Sequence, residues 1–387
     1  MNPNGSSRRR FLVAGLAAPA ALTATTAPGT RNIIPVAVPS KGSTFTYQTL
    51  GKTGLKVTRV GFGSMITSDQ SVIERAADLG VNYFDTARGY QNGNCERMVG
   101  AALKGRRNRV YISTKSAAQT KEEALAQLDT SLKELGVDYV DIWYLHAKSK
   151  PEDLKDELIE AQQMARKAGK IRFAGVSTHS GQKELVPAIV ARKDHFDVLL
   201  TAYNFSTEPF VEEAIRQASD AGLGVVAMKV MAGGKRAKDK VLRTLQQEGA
   251  MLAALKWALR NERVNTAIPS ITDNDQLDEN LKAMMHPFSP GDEKILSARA
   301  EHLRTAYCNM CGACEGQCPN GLPVADLMRF YMYADSYGVF ALGRERFLDM
   351  PLHLQEVSCG CCAECTVKCP RGIDIRSMLG AAQECFV

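Results

Sequence analysis

Residues Tyr139-Val140-Asp141-Ile142-Trp143-Tyr144-Leu145-His146, then Leu154–Gly169 (LKDELIEAQQMARKAG), then Ile171-Arg172-Phe173-Ala174-Gly175-Val176-Ser177 form one repeating unit. The two outer runs are rich in β-branched and aromatic residues. The middle run has apolar residues at helical spacing and ends in glycine, the residue expected just past a helix end. This is a strand–helix–strand unit. The same alternation extends in both directions, from about residue 45 to 288. Further strands are expected at Val57–Ser64, Asn82–Thr86, Val110–Lys115, Val198–Asn204, Gly224–Val230 and Val264–Pro269. Clear helical periodicities cover Lys121–Gly136, Pro209–Gly222 and Val241–Arg260. Eight such units of about 30 residues specify an α/β fold, a closed (β/α)8 TIM barrel. An open doubly wound sheet is the alternative, but no G-x-G-x-x-G follows the first strand.

A barrel of this kind carries its chemistry at the C-terminal ends of the strands. Asp85 closes the second strand, and Tyr90 lies in the loop that follows. Lys115 closes the third strand and His146 the fourth. Each alone is an ordinary structural residue. Together, on three neighbouring strand ends, they form an acid constellation. A tyrosine hydroxyl titrates near 10 and needs help to donate a proton at neutral pH. A buried lysine ammonium beside it would lower that value, and an aspartate would keep the lysine charged. A histidine can orient a carbonyl oxygen. This set would protonate a carbonyl while the carbonyl receives a hydride.

Tyr47-Gln48-Thr49-Leu50-Gly51, Thr53-Gly54-Leu55 and Val60-Gly61-Phe62-Gly63 resemble the opening of the aldo/keto reductases. Phe84–Tyr90, Ser113-Thr114-Lys115 and Tyr144-Leu145-His146 resemble that family's catalytic segments. The resemblance implies Tyr90 as general acid, Lys115 and Asp85 as its tuning partners, and His146 as the residue that orients substrate. It also implies NADP or NAD held extended at the barrel mouth. Ser177, Tyr203, Lys229, Ser270, Gln276, Glu279 and Asn280 would contact that cofactor, with Tyr203 stacked on the nicotinamide. Two positions depart from the family pattern. Thr178 stands where the resemblance implies asparagine, and Leu200 where it implies glutamine. The loop Ser270–Asp275 carries two acids and no base, a poor charge for a 2′-phosphate. Lys235 and Arg236 are either compensating cations or a solvated loop.

Ten of the 11 cysteines follow residue 300. Cys308-x2-Cys311-x2-Cys314-x3-Cys318-Pro319 recurs 51 residues later as Cys359-x2-Cys362-x2-Cys365-x3-Cys369-Pro370. This is the run of bacterial ferredoxins with two 4Fe–4S clusters, in which the fourth cysteine reaches the other cluster. Cys308, Cys311, Cys314 and Cys369 would then hold one cluster, and Cys359, Cys362, Cys365 and Cys318 the second. Zinc is the competing reading of paired C-x2-C. Helices expected at Pro323–Tyr337 and Leu342–Met350 make the module a mainly α-helical ferredoxin-like domain. Cys95, Cys361 and Cys385 fall outside the spacing.

The 387 residues thus divide into 1–40, a signal segment; 41–288, the barrel; and 289–387, the cluster module. Arg8-Arg9-Arg10-Phe11-Leu12 before the apolar run Val13–Ala27 resembles a twin-arginine signal, the route for proteins that cross already folded. That implies a periplasmic or extracellular destination, with a cytoplasmic one as the alternative. Half of the formal net charge of +6 lies in residues 1–27. No basic stripe with interleaved aromatics is present, which argues against nucleic acid. No internal run is long and apolar enough for a membrane span. The expected partners are a small carbonyl or alcohol substrate, such as a sugar, a redox protein and the export machinery. The competing expectation is an idle barrel that serves as the scaffold of an iron–sulfur electron-transfer subunit.

Overall fold

The structure, a computed structural model, describes residues 45–233 and 240–387, all within one compact unit. The arginine-rich N-terminal segment, Gly234, Lys235 and Arg236 lie outside the described residues. Eight parallel strands form one sheet in strict chain order. They are β1 (Phe62–Gly63), β2 (Tyr83–Asp85), β3 (Tyr111–Ser116), β4 (Val140–Leu145), β5 (Ile171–Thr178), β6 (Val198–Ala202), β7 (Gly224–Met228) and β8 (Thr266–Ala267). Parallel bridges Val60–Ala267 and Gly63–Ser270 join the last strand to the first, so the sheet closes into a barrel.

The pattern of β4 explains the layering. All of its residues are buried, because both faces of a parallel barrel strand are covered. Ile142 and Tyr144 point into the barrel with Tyr83, Tyr111, Val198, Leu200 and Val226. Trp143 and Leu145 point outward beneath the helices. A hairpin, Tyr47–Thr49 paired with Lys56–Thr58, closes the bottom by inserting Leu50, Leu55 and Val57.

The outer helices are α1 (Gln70–Leu79), α2 (Asn94–Ala102), α3 (Lys121–Leu135), α4 (Asp156–Lys167), α5 (Gln182–Ala191), α6 (Pro209–Asp220), α7 (Lys240–Gln247), α8 (Ala250–Leu259) and α9 (Asn274–Leu281). The continuous helix expected over Val241–Arg260 is broken in two. Gly249, at φ 92°, takes a left-handed conformation that a right-handed helix does not continue.

The expected boundary at 288/289 also differs from the packing. Helix α10 (Pro290–Leu303) lies against α8, with a Lys256–Asp292 ion pair of 2.6 Å between them. Leu296 joins the barrel's helix layer, and only Leu303 belongs to the C-terminal cluster. That cluster is built on α11 (Val324–Asp335), α12 (Phe340–Leu348), a short α13 (Leu352–Gln355) and α14 (Ile375–Phe386). The two long expected helices appear within a few residues of their expected ends. Ala202, Ala232, Met65 and Phe205 of the barrel mouth pack into the same cluster, so the helical module sits on the C-terminal face of the barrel.

Candidate active site

The strand ends converge as the topology requires. Asp85 ends β2, Lys115 is the penultimate residue of β3, and His146 directly follows β4. Lys115 Nζ donates to Asp85 Oδ2, and to the Thr86 carbonyl at 2.7 Å. Ser113 Oγ donates to the other Asp85 oxygen at 2.7 Å. Both charged groups are buried. Burial pushes the Asp85 carboxyl up and the Lys115 ammonium down, and each partner opposes the shift of the other. The Lys115 ammonium lies 5.0 Å from the centre of the Tyr90 ring, and the His146 ring meets that ring edge-on at 5.9 Å. Tyr90 opens a short turn whose next residues, Gln91 and Asn92, hold left-handed conformations at φ 49° and 53°. Gln91 donates to the Thr67 carbonyl at 2.9 Å and pins this strained turn.

The expectation that Lys115 lowers the Tyr90 hydroxyl is corrected here. Burial raises that hydroxyl well above its ordinary value, and the Asp85 charge adds to the rise. Lys115 addresses the face of the ring, and two of its three donors are taken by Asp85 and Thr86. Behind Tyr90, Cys95 is fully buried and donates to the Ser64 carbonyl at 3.3 Å. Burial raises its thiol to about 12, so it is a packing residue.

Two cavities meet at this point. The first is lined by Ser64, Asp85, Lys229, Ser270, Gln276, Glu279 and Asn280 among others, and therefore holds five of the residues expected to contact a cofactor. The second, about 620 Å³, is lined by His146 and by residues of the helical module. Met65, Tyr90 and His179 line both. The Tyr90 hydroxyl thus stands at the junction of a long cleft and a chamber of ligand size.

Two expected contacts are not in the cleft. Tyr203 is turned to the outer layer, against Trp257 at 4.9 Å, and donates to Glu212 at 2.9 Å. Strand alternation is the reason: Leu200 points inward, so the residue three positions on points outward. Tyr203 therefore does not stack on a nicotinamide. Tyr203→Phe is expected to cost about 1 kcal/mol of stability and to leave nucleotide affinity unchanged, measured by thermal unfolding and fluorescence titration. Ser177 is fully buried, and its Oγ accepts from the Ala147 amide at 2.9 Å.

The donor set of the cleft suits a dinucleotide. Lys229 is half-buried at the cleft wall and has no carboxylate partner among the described residues. Its ammonium lies over Tyr333 and Tyr337, at 4.5 and 4.7 Å. Burial, then the nearby Arg329 charge, lowers it to about 7. A pyrophosphate is the anion that such a cation lacks. At the far end Asp273 caps α9, accepting from the Gln276 amide at 2.8 Å. One of the two acids of that loop is therefore engaged in holding the helix.

Sequence reasoning missed His179 and the contribution of the helical module. Arg329 Nη1 lies 2.8 Å from His179 Nδ1. A guanidinium only donates, so Nδ1 accepts and the His179 proton sits on Nε2. Burial, with Arg329 and Lys229 nearby, holds His179 neutral. Burial, with Lys115 and Arg346 nearby, does the same for His146. Their folded values lie below the ordinary 6.5, so below about pH 6.5 the unfolded chain binds protons that the folded protein refuses. Stability is expected to fall as pH drops through that window and to be flat above it. Urea midpoints between pH 7.5 and 5 will show this, and His146→Gln/His179→Gln should flatten the slope.

In the module, thiols of both runs lie near one another. Burial raises Cys308 to about 11, with Cys311 and Cys369 near it, and Cys314 to about 12, with Cys308 and Cys311 beside it. Cys359 is raised to about 11 by burial, then by Cys318, Cys362 and Cys365. Gln317 ties the two cysteine runs together, accepting from the Thr366 hydroxyl at 2.9 Å and the Lys368 amide at 2.7 Å. Among the described residues the cysteines are free thiols, and no three ligands close on a single metal ion. A cubane makes a different demand, since its four thiolates bind four separate irons and stand apart.

Residues 64–250 match the profile of the Aldo/keto reductase family. The chain is 25% identical over 341 residues to the L-glyceraldehyde 3-phosphate reductase of Escherichia coli, covering 71% of this chain and 97% of that protein. Its fold resembles that of an aldo-keto reductase from Bacillus halodurans in its holo form, with TM-score 0.58 and 24% identity over 66% of this chain and 96% of that one. An aldo-keto reductase from Klebsiella pneumoniae in complex with NADPH gives a TM-score of 0.54 at 23% identity, over 66% and 94% of the two chains. The closed barrel and these matches agree on the fold, and the barrel of this chain is similar to those of the aldo/keto reductases.

Proposed function

We propose that this chain is an NAD(P)-dependent oxidoreductase that interconverts a carbonyl and an alcohol on a small substrate. The observation that carries the reading is the buried Asp85–Lys115 pair against Tyr90, at the junction of the cleft and the chamber. The reductase name of the Escherichia coli relative and the NADPH of the Klebsiella structure point the same way. Lys229, Ser270, Gln276, Glu279 and Asn280 would hold the nucleotide, which supplies hydride when bound. Tyr90 Oη gives its proton to the carbonyl oxygen as that oxygen gains charge. His146, neutral, orients the same oxygen. Asp85 holds the Lys115 ammonium against the face of the Tyr90 ring, which fixes the ring and its hydroxyl toward the carbonyl oxygen. In the reverse direction Tyr90 takes the alcohol proton back.

The test is nucleotide consumption. Purified protein with NADPH or NADH and a panel of small aldehydes is expected to oxidise one nucleotide in step with alcohol formation. Absence of both nucleotide binding and turnover would overturn the reading. It would favour an idle barrel, a second reading supported by the outward turn of Tyr203 and the internal use of Ser177.

The same chain would carry two 4Fe–4S clusters, on Cys308, Cys311, Cys314 and Cys369 and on Cys359, Cys362, Cys365 and Cys318. The grouping of these thiols and their tie through Gln317 support it. Such clusters move single electrons, and they would exchange them with a redox protein. Anaerobic purification with iron and sulfide counts tests this. Cys369→Ser should remove one cluster, and Cys361→Ser should remove none. Export by the twin-arginine route is part of the proposal, supported by Arg8–Leu12. Fractionation of cells expressing Arg8→Lys/Arg9→Lys beside the parent checks it.

A further inference from the structure

The chamber beside Tyr90 is charged in a way that a neutral substrate would not use. Arg329, on α11, is 9% exposed and lines the chamber. Its Nη1 meets the neutral His179, and its Nη2 meets Asp326 at 2.7 Å, a carboxylate half in solvent. Its Nε is buried with no hydrogen-bond partner among the described residues. The cation is under-neutralised, and an anion in the chamber would offset its desolvation through the second N–H that each Nη carries. Arg346, on α12, reaches the same chamber from the other side. Its Nη2 donates to the Gly89 carbonyl at 3.2 Å, one residue before Tyr90. Its partner Asp349 is 60% exposed. Of the carboxylates that line the chamber, Glu123 is already occupied by the Gln119 amide and the Gln127 side chain, and Asp349 by Arg346. Both histidines that face this space are held neutral by burial, with the surrounding cations adding to it.

We propose that Arg329 and Arg346 form an oxyanion-binding subsite, so the substrate is a small aldehyde or ketone that also carries a carboxylate or a phosphate. This rests on the carbonyl-reducing reading above. The subsite belongs to the C-terminal module and not to the barrel. Arg329 and Arg346 would clamp the anionic end while the carbonyl lies under Tyr90 and His146. Guanidinium groups match the planar face of a carboxylate and the edge of a phosphate in paired hydrogen bonds. The module thereby selects the substrate whatever electrons it also carries.

The test compares matched substrates with the full-length protein: succinic semialdehyde, glyceraldehyde 3-phosphate, and neutral butanal and glyceraldehyde. One charge-assisted contact supports a ratio of kcat/KM, anionic over neutral, of roughly 10- to 100-fold. The two anionic arms separate carboxylate from phosphate. Arg329→Gln and Arg346→Gln should each collapse the ratio toward one, chiefly through KM, and Arg329→Lys should restore part of it. Titration of succinate and of inorganic phosphate, followed by calorimetry, gives a second readout without turnover. Arginine-dependent binding of either anion in a protein that turns over no aldehyde keeps the subsite and overturns the reductase reading. Equal turnover of anionic and neutral aldehydes, or anion binding that survives both glutamine variants, overturns the subsite. A fold check by circular dichroism accompanies each variant, and Arg346, the more exposed of the two, carries the test should Arg329→Gln not fold.

Discussion

Tyr90→Phe is expected to lower kcat for carbonyl reduction by about 10²- to 10⁴-fold, the usual worth of a positioned general acid. The ring stays in place in the variant. Its edge contact with His146 and the Lys115 ammonium over its face need no hydroxyl. Among the described residues the hydroxyl has no hydrogen-bond partner, so its removal leaves no buried group stranded. Thermal unfolding should therefore shift little while turnover falls. The pH dependence carries a second signature. Burial and the Asp85 charge hold the phenol above its ordinary range, so it stays protonated through neutral pH. Carbonyl reduction needs the phenol, and its rate should hold until pH rises into that raised range. Alcohol oxidation needs the phenolate, and its rate should climb with pH. Stopped-flow rates in both directions between pH 6 and 10 measure this. An unaltered kcat in Tyr90→Phe would remove Tyr90 from the chemistry.

The eight strands were legible because a parallel barrel strand is buried on both faces and reads as a dense apolar run. Val140–Leu145 shows this directly. The strand-end set was legible because the polar residue closing such a run faces the mouth. Tyr203 shows the limit of the same reasoning. The resemblance implies a stacking role for it, whereas strand parity counted from Leu200 turns it to the outer layer. The break at Gly249 was legible as a glycine, but apolar spacing on both sides masked it. His179 follows Ser177-Thr178 by one residue, and nothing local marks it, since its role comes from a guanidinium 150 residues away. Arg329 and Arg346 carry no motif either. They reach the site because α11 and α12 pack over the barrel mouth, and only tertiary packing creates that juxtaposition. The cysteine runs are the opposite case. Their C-x2-C-x2-C-x3-C-P spacing is a property of the chain itself, so the two runs are readable without any fold.

Asp85→Leu is expected to destabilise the protein by about 3–5 kcal/mol, because it leaves the Lys115 ammonium buried with only the Thr86 carbonyl as partner. Lys115→Met should cost a similar amount, since the Asp85 carboxylate would keep only Ser113. Burial already pushes each group toward its neutral form, and the pair survives because each partner holds the other charged. The double variant Asp85→Leu/Lys115→Met removes both desolvated charges together. It should therefore be more stable than either single variant, which requires a coupling by urea unfolding that exceeds either single cost of about 3–5 kcal/mol. A coupling near zero would mean that the two groups do not act as a pair. All three variants should lose turnover, the double included. A protein that regains stability without regaining activity would show that this buried pair serves Tyr90 and not the fold. A buried ion pair is weak support for stability, and one placed at the end of two barrel strands has a functional reason to be there.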